Sequence, residues 1–95
     1  MTVKGRERPA RRDGVWVRRS GDENALFDPT SSAVHLLNET ALAIWELCDG
    51  QTDPEEMVAA IVELSGLDPT AVEQDVERIL TEFGDAGLVT WAPRA

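Results

Sequence analysis

Short apolar runs bounded by turn residues fill the first third of the chain, and from Asn38 onward apolar residues recur at helical spacing. Val15-Trp16-Val17-Arg18-Arg19 combines β-branched and aromatic residues and predicts a strand. Ser20 to Asn24, with Gly21 and Asp22, predicts a hairpin turn into a second strand, Ala25-Leu26-Phe27-Asp28. Asp28-Pro29-Thr30-Ser31 is a turn with proline suited to its second position. A third strand, Ala33-Val34-His35-Leu36-Leu37, follows, so the three predict an antiparallel meander.

The period then changes without a loop. Ala41, Leu42, Ile44, Trp45 and Cys48 fall on one helical face, and Asn38 is a good cap because its side-chain oxygen can accept from a free first-turn amide. Glu39 sits at the positive end of that helix dipole. The segment from Ala33 to Leu47 is therefore expected to be a rigid strand-to-helix corner on which the rest packs. Asp49-Gly50 stops the first helix. Thr52-Asp53-Pro54-Glu55 reads as a capping box opening a second helix, Asp53 to about Leu64, with a stripe of Met57, Val58, Ile61, Val62 and Leu64. Asp68-Pro69 opens a third, to about Asp85, with Val72, Val76, Ile79, Leu80 and Phe83 on one face. Gly87 ends it, and Leu88-Val89-Thr90-Trp91 is a last extended segment. Three strands followed by three helices is an α+β layout, helices on one face of a small sheet. The second and third helices have the short link of a helix-turn-helix.

Charge divides the chain. Residues 1–19 hold seven basic and two acidic side chains, +5; residues 20–95 hold two basic and sixteen acidic, −14; together these give the −9 of the whole. A body of that sign repels phosphate, which excludes nucleic acid as its expected partner and favours a basic one. Residues 1–13 are nearly devoid of apolar side chains and are expected to be a disordered basic tail, and residues 92–95 a short C-terminal tail. No run of about 18 apolar residues predicts a membrane span. The basic N-terminus lacks the apolar stretch of a signal peptide, so the expected location is cytoplasmic.

No catalytic constellation stands out. The single cysteine, Cys48, allows no intrachain disulfide and falls on an apolar helix face, the place of a small buried residue. The single histidine, His35, lies within a strand and has no second histidine or cysteine to share a metal. Ser31 and Ser32 lack a glycine elbow, and no glycine-rich phosphate loop is present. No cofactor or metal is expected. Of the three tryptophans, Trp45 is expected in the core, and Trp16 in the sheet core or covering an edge. One feature could bind something: if Ala33–Leu37 lies at the edge of the meander, its free amides and carbonyls can accept an added peptide strand. A terminal tail covering that edge is the alternative.

The run Val34-His35-Leu36-Leu37-Asn38-Glu39-Thr40-Ala41-Leu42-Ala43-Ile44-Trp45-Glu46-Leu47-Cys48-Asp49-Gly50 resembles the PqqD family. So do Glu55-Glu56-Met57-Val58, Asp75-Val76 with Leu80, and Gly87-Leu88-Val89. The resemblance implies a winged helix-turn-helix-like fold of a three-stranded antiparallel sheet followed by three helices, over residues 14–91. It implies a non-catalytic peptide chaperone, a recognition element for ribosomally synthesised and post-translationally modified peptides (RiPPs). Such proteins bind the leader segment of a precursor peptide and deliver it to a modifying enzyme. Carried onto this chain, the peptide site would comprise Ala33, Val34, His35, Leu36 and Leu37 of the third strand with Val72, Asp75, Val76, Ile79 and Glu82 of the third helix. Either strand face suits the groove. Arg78 is placed to pair with an acidic leader residue or with Asp75 or Glu82.

Two pathways fit the resemblance. A lasso peptide pathway, with a leader peptidase and a cyclase, is favoured; a pyrroloquinoline quinone pathway, with a radical SAM enzyme, is the alternative. A DNA-binding winged helix is the remote reading, because its recognition helix would carry Arg78 alone against Asp68, Glu73, Asp75, Glu77, Glu82 and Asp85.

Overall fold

The computed structural model describes residues 8–92. The parts of the expected tails at 1–7 and 93–95 lie outside them. The meander is present: β2 (Trp16–Ser20), β3 (Glu23–Asp28) and β4 (Ala33–Leu37) form an antiparallel sheet in the order β2-β3-β4. Three helices follow, α1 (Glu39–Leu47), α2 (Pro54–Ser65) and α3 (Pro69–Asp85). They cover one face of the sheet, the face that carries Val17, Leu26 and Leu37.

A second, two-stranded ribbon was not expected. β1 (Arg8–Arg11) pairs antiparallel with β5 (Val89–Ala92), Pro9 opposite Trp91. The disordered tail expected for residues 1–13 is thereby corrected at Arg8–Arg11, which form a strand. Arg-Pro-Ala-Arg carries no strand signal of its own; its partners specify it. On one side lies β5. On the other, Gly50 N–H donates to Pro9 O (2.9 Å) and Arg11 N–H donates to Cys48 O (3.0 Å). The Arg11 guanidinium also donates to Trp45 O and Glu46 O at 3.1 and 2.8 Å. α1 has no basic residue in its last turn, so this distant arginine caps its carbonyl end and opposes its dipole.

Local chemistry explains the helix bounds. Asn38 Oδ1 accepts from Ala41 N–H at 2.8 Å. The capping box of α2 sits one residue later than expected: Asp53, not Thr52, is the N-cap, and Asp53 and Glu56 exchange bonds of 2.9 Å. Asp68 caps α3 through Ala71 N–H. Gly66 and Gly87 close α2 and α3 in left-handed conformations (φ 71° and 73°) that a side chain would disfavour.

The core joins Ile44, Trp45 and Cys48 of α1, Met57 and Ile61 of α2, and Val72, Val76, Ile79, Leu80 and Phe83 of α3 to Leu26, Leu88 and Val89. Trp45 meets Phe83 edge-on, ring centres 5.5 Å apart. Two expectations fail at the margins. Leu64 ends the α2 stripe but is 84 % exposed, on the last turn of the helix. Trp16 is neither core nor edge cover; it lies on the sheet face opposite the helices, edge-on to Phe27.

Candidate functional site

β4 is the last strand of its sheet. β3 holds one of its edges, and among the described residues no strand pairs with the other. The two chain ends that could have covered it, Arg8–Arg11 and Val89–Ala92, pair with each other instead. Among the described residues this edge leaves a row of backbone donors and acceptors unpaired.

The corner beyond this edge is held by polar contacts. Buried Asn24 of β3 accepts from Arg19 Nε (3.1 Å) and donates to Glu39 at the start of α1 (3.4 Å). With the Asn38 cap, these bonds tie sheet to helix at the point where β4 ends. The other end of β4 hangs on Asp28. Its carboxylate pairs with Arg12 and accepts from Thr30 N–H (3.0 Å) and the Ser31 hydroxyl (3.1 Å). Burial raises the Asp28 pKa, but the Arg12, Thr30 and Ser31 contacts outweigh it and hold the carboxyl below its ordinary 3.8. Ser32 takes a left-handed φ of 61° in this turn, a conformation costing about 1 kcal/mol that the surrounding bonds must offset.

The two halves of the expected site differ. On β4 the side chains alternate in burial. Ala33, His35 and Leu37 are half-buried on the helix side; Val34 and Leu36 are 60 % and 71 % exposed on the far side. On α3 the expected groove-lining residues Val72, Val76 and Ile79 are only 2 %, 1 % and 4 % exposed. Their apolar surface is consumed in contact with the other helices, so as an open groove wall they are corrected to core. Asp75 is half-buried and Glu82 exposed, and both flank Arg78 at 3.4 and 3.5 Å. α3 packs chiefly on α2 and is not in extensive contact with β4.

Elsewhere the chemistry is sparse. Cys48 is buried, its Sγ contacts Ile44 O at 3.2 Å, and burial pushes its pKa up to about 12, so the thiolate nucleophile is not formed near neutrality. Among the described residues no group of three or more His, Cys, Asp or Glu side chains is placed to hold a metal ion. No described helix is long and apolar enough to cross a membrane.

The family model for coenzyme PQQ synthesis protein D (PqqD) matches residues 23–89, from the start of β3 to the first residue of β5. The chain belongs to the PqqD family. Three solved structures share its fold. TbiB1 in complex with the TbiA(beta) leader peptide is 26 % identical, with a TM-score of 0.72 over 84 % of this chain and 93 % of that one. Lasso peptide synthetase B1 complexed with its leader peptide is 20 % identical, with a TM-score of 0.75 over 86 % and 96 %. The PqqD truncation of Methylobacterium extorquens PqqCD, a stand-alone RiPP recognition element, is 20 % identical, with a TM-score of 0.76 over 94 % and 95 %. None of the curated proteins matches the chain.

What the sequence could not reveal is the use of distant residues as supports. Arg11, Arg12 and Asn24 position β4 and α1, yet each looks like an ordinary surface residue in its local run. The aromatic pair on the outer sheet face did carry a signal. Trp16 and Phe27 both alternate out of phase with the buried Leu26, as the period of a strand requires.

Proposed function

We propose that this PqqD-family chain binds the leader segment of a precursor peptide as a fourth strand on the free edge of β4 and presents it to a modifying enzyme without catalysing a reaction itself. The observation that carries the reading is that edge, unpaired among the described residues and held at both ends by Asp28 and Asn38. Main-chain hydrogen bonds give affinity that does not depend on sequence, and side chains along the strand add selection. Val34 and Leu36 flank the added strand on one face, Ala33, His35 and Leu37 on the other, and Asp75 and Glu82 of α3 give an acidic rim. The −14 of residues 20–95 favours leaders with lysine or arginine and speeds their encounter at low salt.

The likeness to TbiB1, solved with a leader peptide, supports leader binding. A lasso peptide pathway, with a leader peptidase and a cyclase as partners, is the first reading. The family description supports the second reading, a chaperone for the pyrroloquinoline quinone precursor working with a radical SAM enzyme. In either case precursor and enzyme meet in the cytoplasm. The acidic surface of α3 speaks against a DNA-binding role. The test is a fluorescence-polarisation titration with labelled leaders of the precursors encoded beside this gene. A Kd below about 100 μM, roughly −5.5 kcal/mol, is expected. If no such leader reaches that affinity, the proposal fails.

A further inference from the structure

The face of the β2-β3-β4 sheet that points away from the helices carries an apolar patch at its Trp16 end and a polar row, Ser20 and Glu23, at the hairpin end, and among the described residues no element packs on it. Trp16, Phe27 and Val34 form one row across it, and Arg18, Ala25 and Leu36 the next, by the pairing register. Trp16 and Phe27 contact edge-on, ring centres 5.3 Å apart. A solvent-facing sheet face normally carries polar side chains. We infer that this face docks the enzyme that acts on the bound peptide, through an apolar enzyme surface with a carboxylate opposite Arg18, and that the peptide strand on β4 completes the docking surface.

Area argues for this occupant over a second copy of the chain. Trp16 is 49 % exposed, and with Val34 and Leu36 the open surface is roughly 300–400 Å², taking ~150–250 Å² for each full side chain. A stable protein interface uses about 800 Å² per partner. The face alone is too small to hold a symmetric dimer. A fourth strand on β4 extends the same face, because every second side chain of that strand points to the side of Val34 and Leu36. A partner reading both surfaces gains area only when the peptide is bound. Arg18 is the one basic group in the two rows, in a chain of net charge −9, so an acidic rim on the partner finds its counter-charge here.

The inference rests on the peptide-binding reading above, and the experiment separates the two. Trp16→Glu and Arg18→Glu lie on β2, two strands away from the free edge of β4. Each variant is checked for folding by thermal melting. Each is then assayed for leader binding and for supporting modification of the precursor by the peptidase, cyclase or radical SAM enzyme encoded beside the gene. The expected result is a leader Kd within twofold of wild type and a fall in modification rate of tenfold or more for Trp16→Glu, smaller for Arg18→Glu. If the wild type binds no leader, the peptide-binding reading fails and takes this one with it. If leader binds and both variants support modification at the wild-type rate, this inference alone is overturned. It is also overturned if Trp16→Glu loses leader binding while folded, or if sedimentation shows a wild-type dimer that Trp16→Glu makes monomeric; the face then belongs to the peptide or to a second copy.

Discussion

β4 and α3 both carry an apolar stripe of branched residues, yet they spend it differently. β4 leaves Val34 and Leu36 in solvent, while α3 buries Val72, Val76 and Ile79 almost completely. The difference follows from neighbours. α3 is flanked by α2, α1 and β5, so its stripe has partners all along. β4 has a partner strand on one edge only and helices on one face only, so half of what it could bury is left unburied. Leaving a branched residue exposed forgoes roughly 1.5–3 kcal/mol of burial. The lesson is that an apolar stripe does not mark a site; an apolar stripe without a partner does.

The sharpest way to break this comparison is to place a charge on each element. Val76→Asp puts an unpaired carboxylate among Ile79, Leu80 and the α2 side chains and is expected to cost about 3–5 kcal/mol, enough to unfold much of the population in a urea titration. Ile79→Asp should do the same. Leu36→Arg is expected to leave the urea midpoint unchanged and to weaken leader binding tenfold or more, about 1.4 kcal/mol. If Ile79→Asp stays folded and loses only binding, α3 lines the groove after all and the contrast drawn here is wrong.

Legibility from sequence divides along similar lines. β4 and its helix cap were readable to the residue, because a short apolar run ending in asparagine encodes both elements locally. All three helices were readable for the same reason, with the cap of α2 misplaced by one position since Thr52 and Asp53 are both good capping residues. β1 was not readable. Its strand state comes from Gly50, Cys48 and β5, more than thirty residues away, and its own composition resembles a solvated tail. The site was half readable. Periodicity places Val72, Val76 and Ile79 on one face of a helix, but only packing decides whether that face looks onto a groove or into the core.

The supports of β4 offer a smaller test. Asn38→Ala removes the bond to Ala41 N–H and is expected to cost ~1 kcal/mol in global stability. It should also raise hydrogen exchange at the β4–α1 corner more than in α3. Asp28 gives a pH counterpart. Its pKa is depressed in the folded protein, so the stability it confers is fully present above the unfolded value of 3.8 and is lost as pH falls through the lower folded value. Wild type should therefore lose more stability than Asp28→Asn between neutrality and the acid side of 3.8, read as the difference between their melting temperatures along the series. Equal slopes would mean that the Arg12 contact does not hold the β3–β4 turn.

The smallest effect tests what remains of α3 in the site. With its apolar stripe buried, α3 can meet a peptide only through its polar rim, and Arg78 stands in that rim between Asp75 and Glu82. These pairs are more than half exposed on the arginine side, so Arg78→Ala should change stability by less than about 0.5 kcal/mol. The affinity of a basic leader should stay level or rise slightly, because the change frees two carboxylates to meet its lysines or arginines. A leader with an acidic residue opposite α3 would instead lose affinity by the removal of its one cationic contact on that helix. Titrating both kinds of leader against Arg78→Ala reads the sign directly. A loss of tenfold or more with every leader would make α3 an equal partner of β4, and would mean that burial of its apolar stripe does not measure its share in binding.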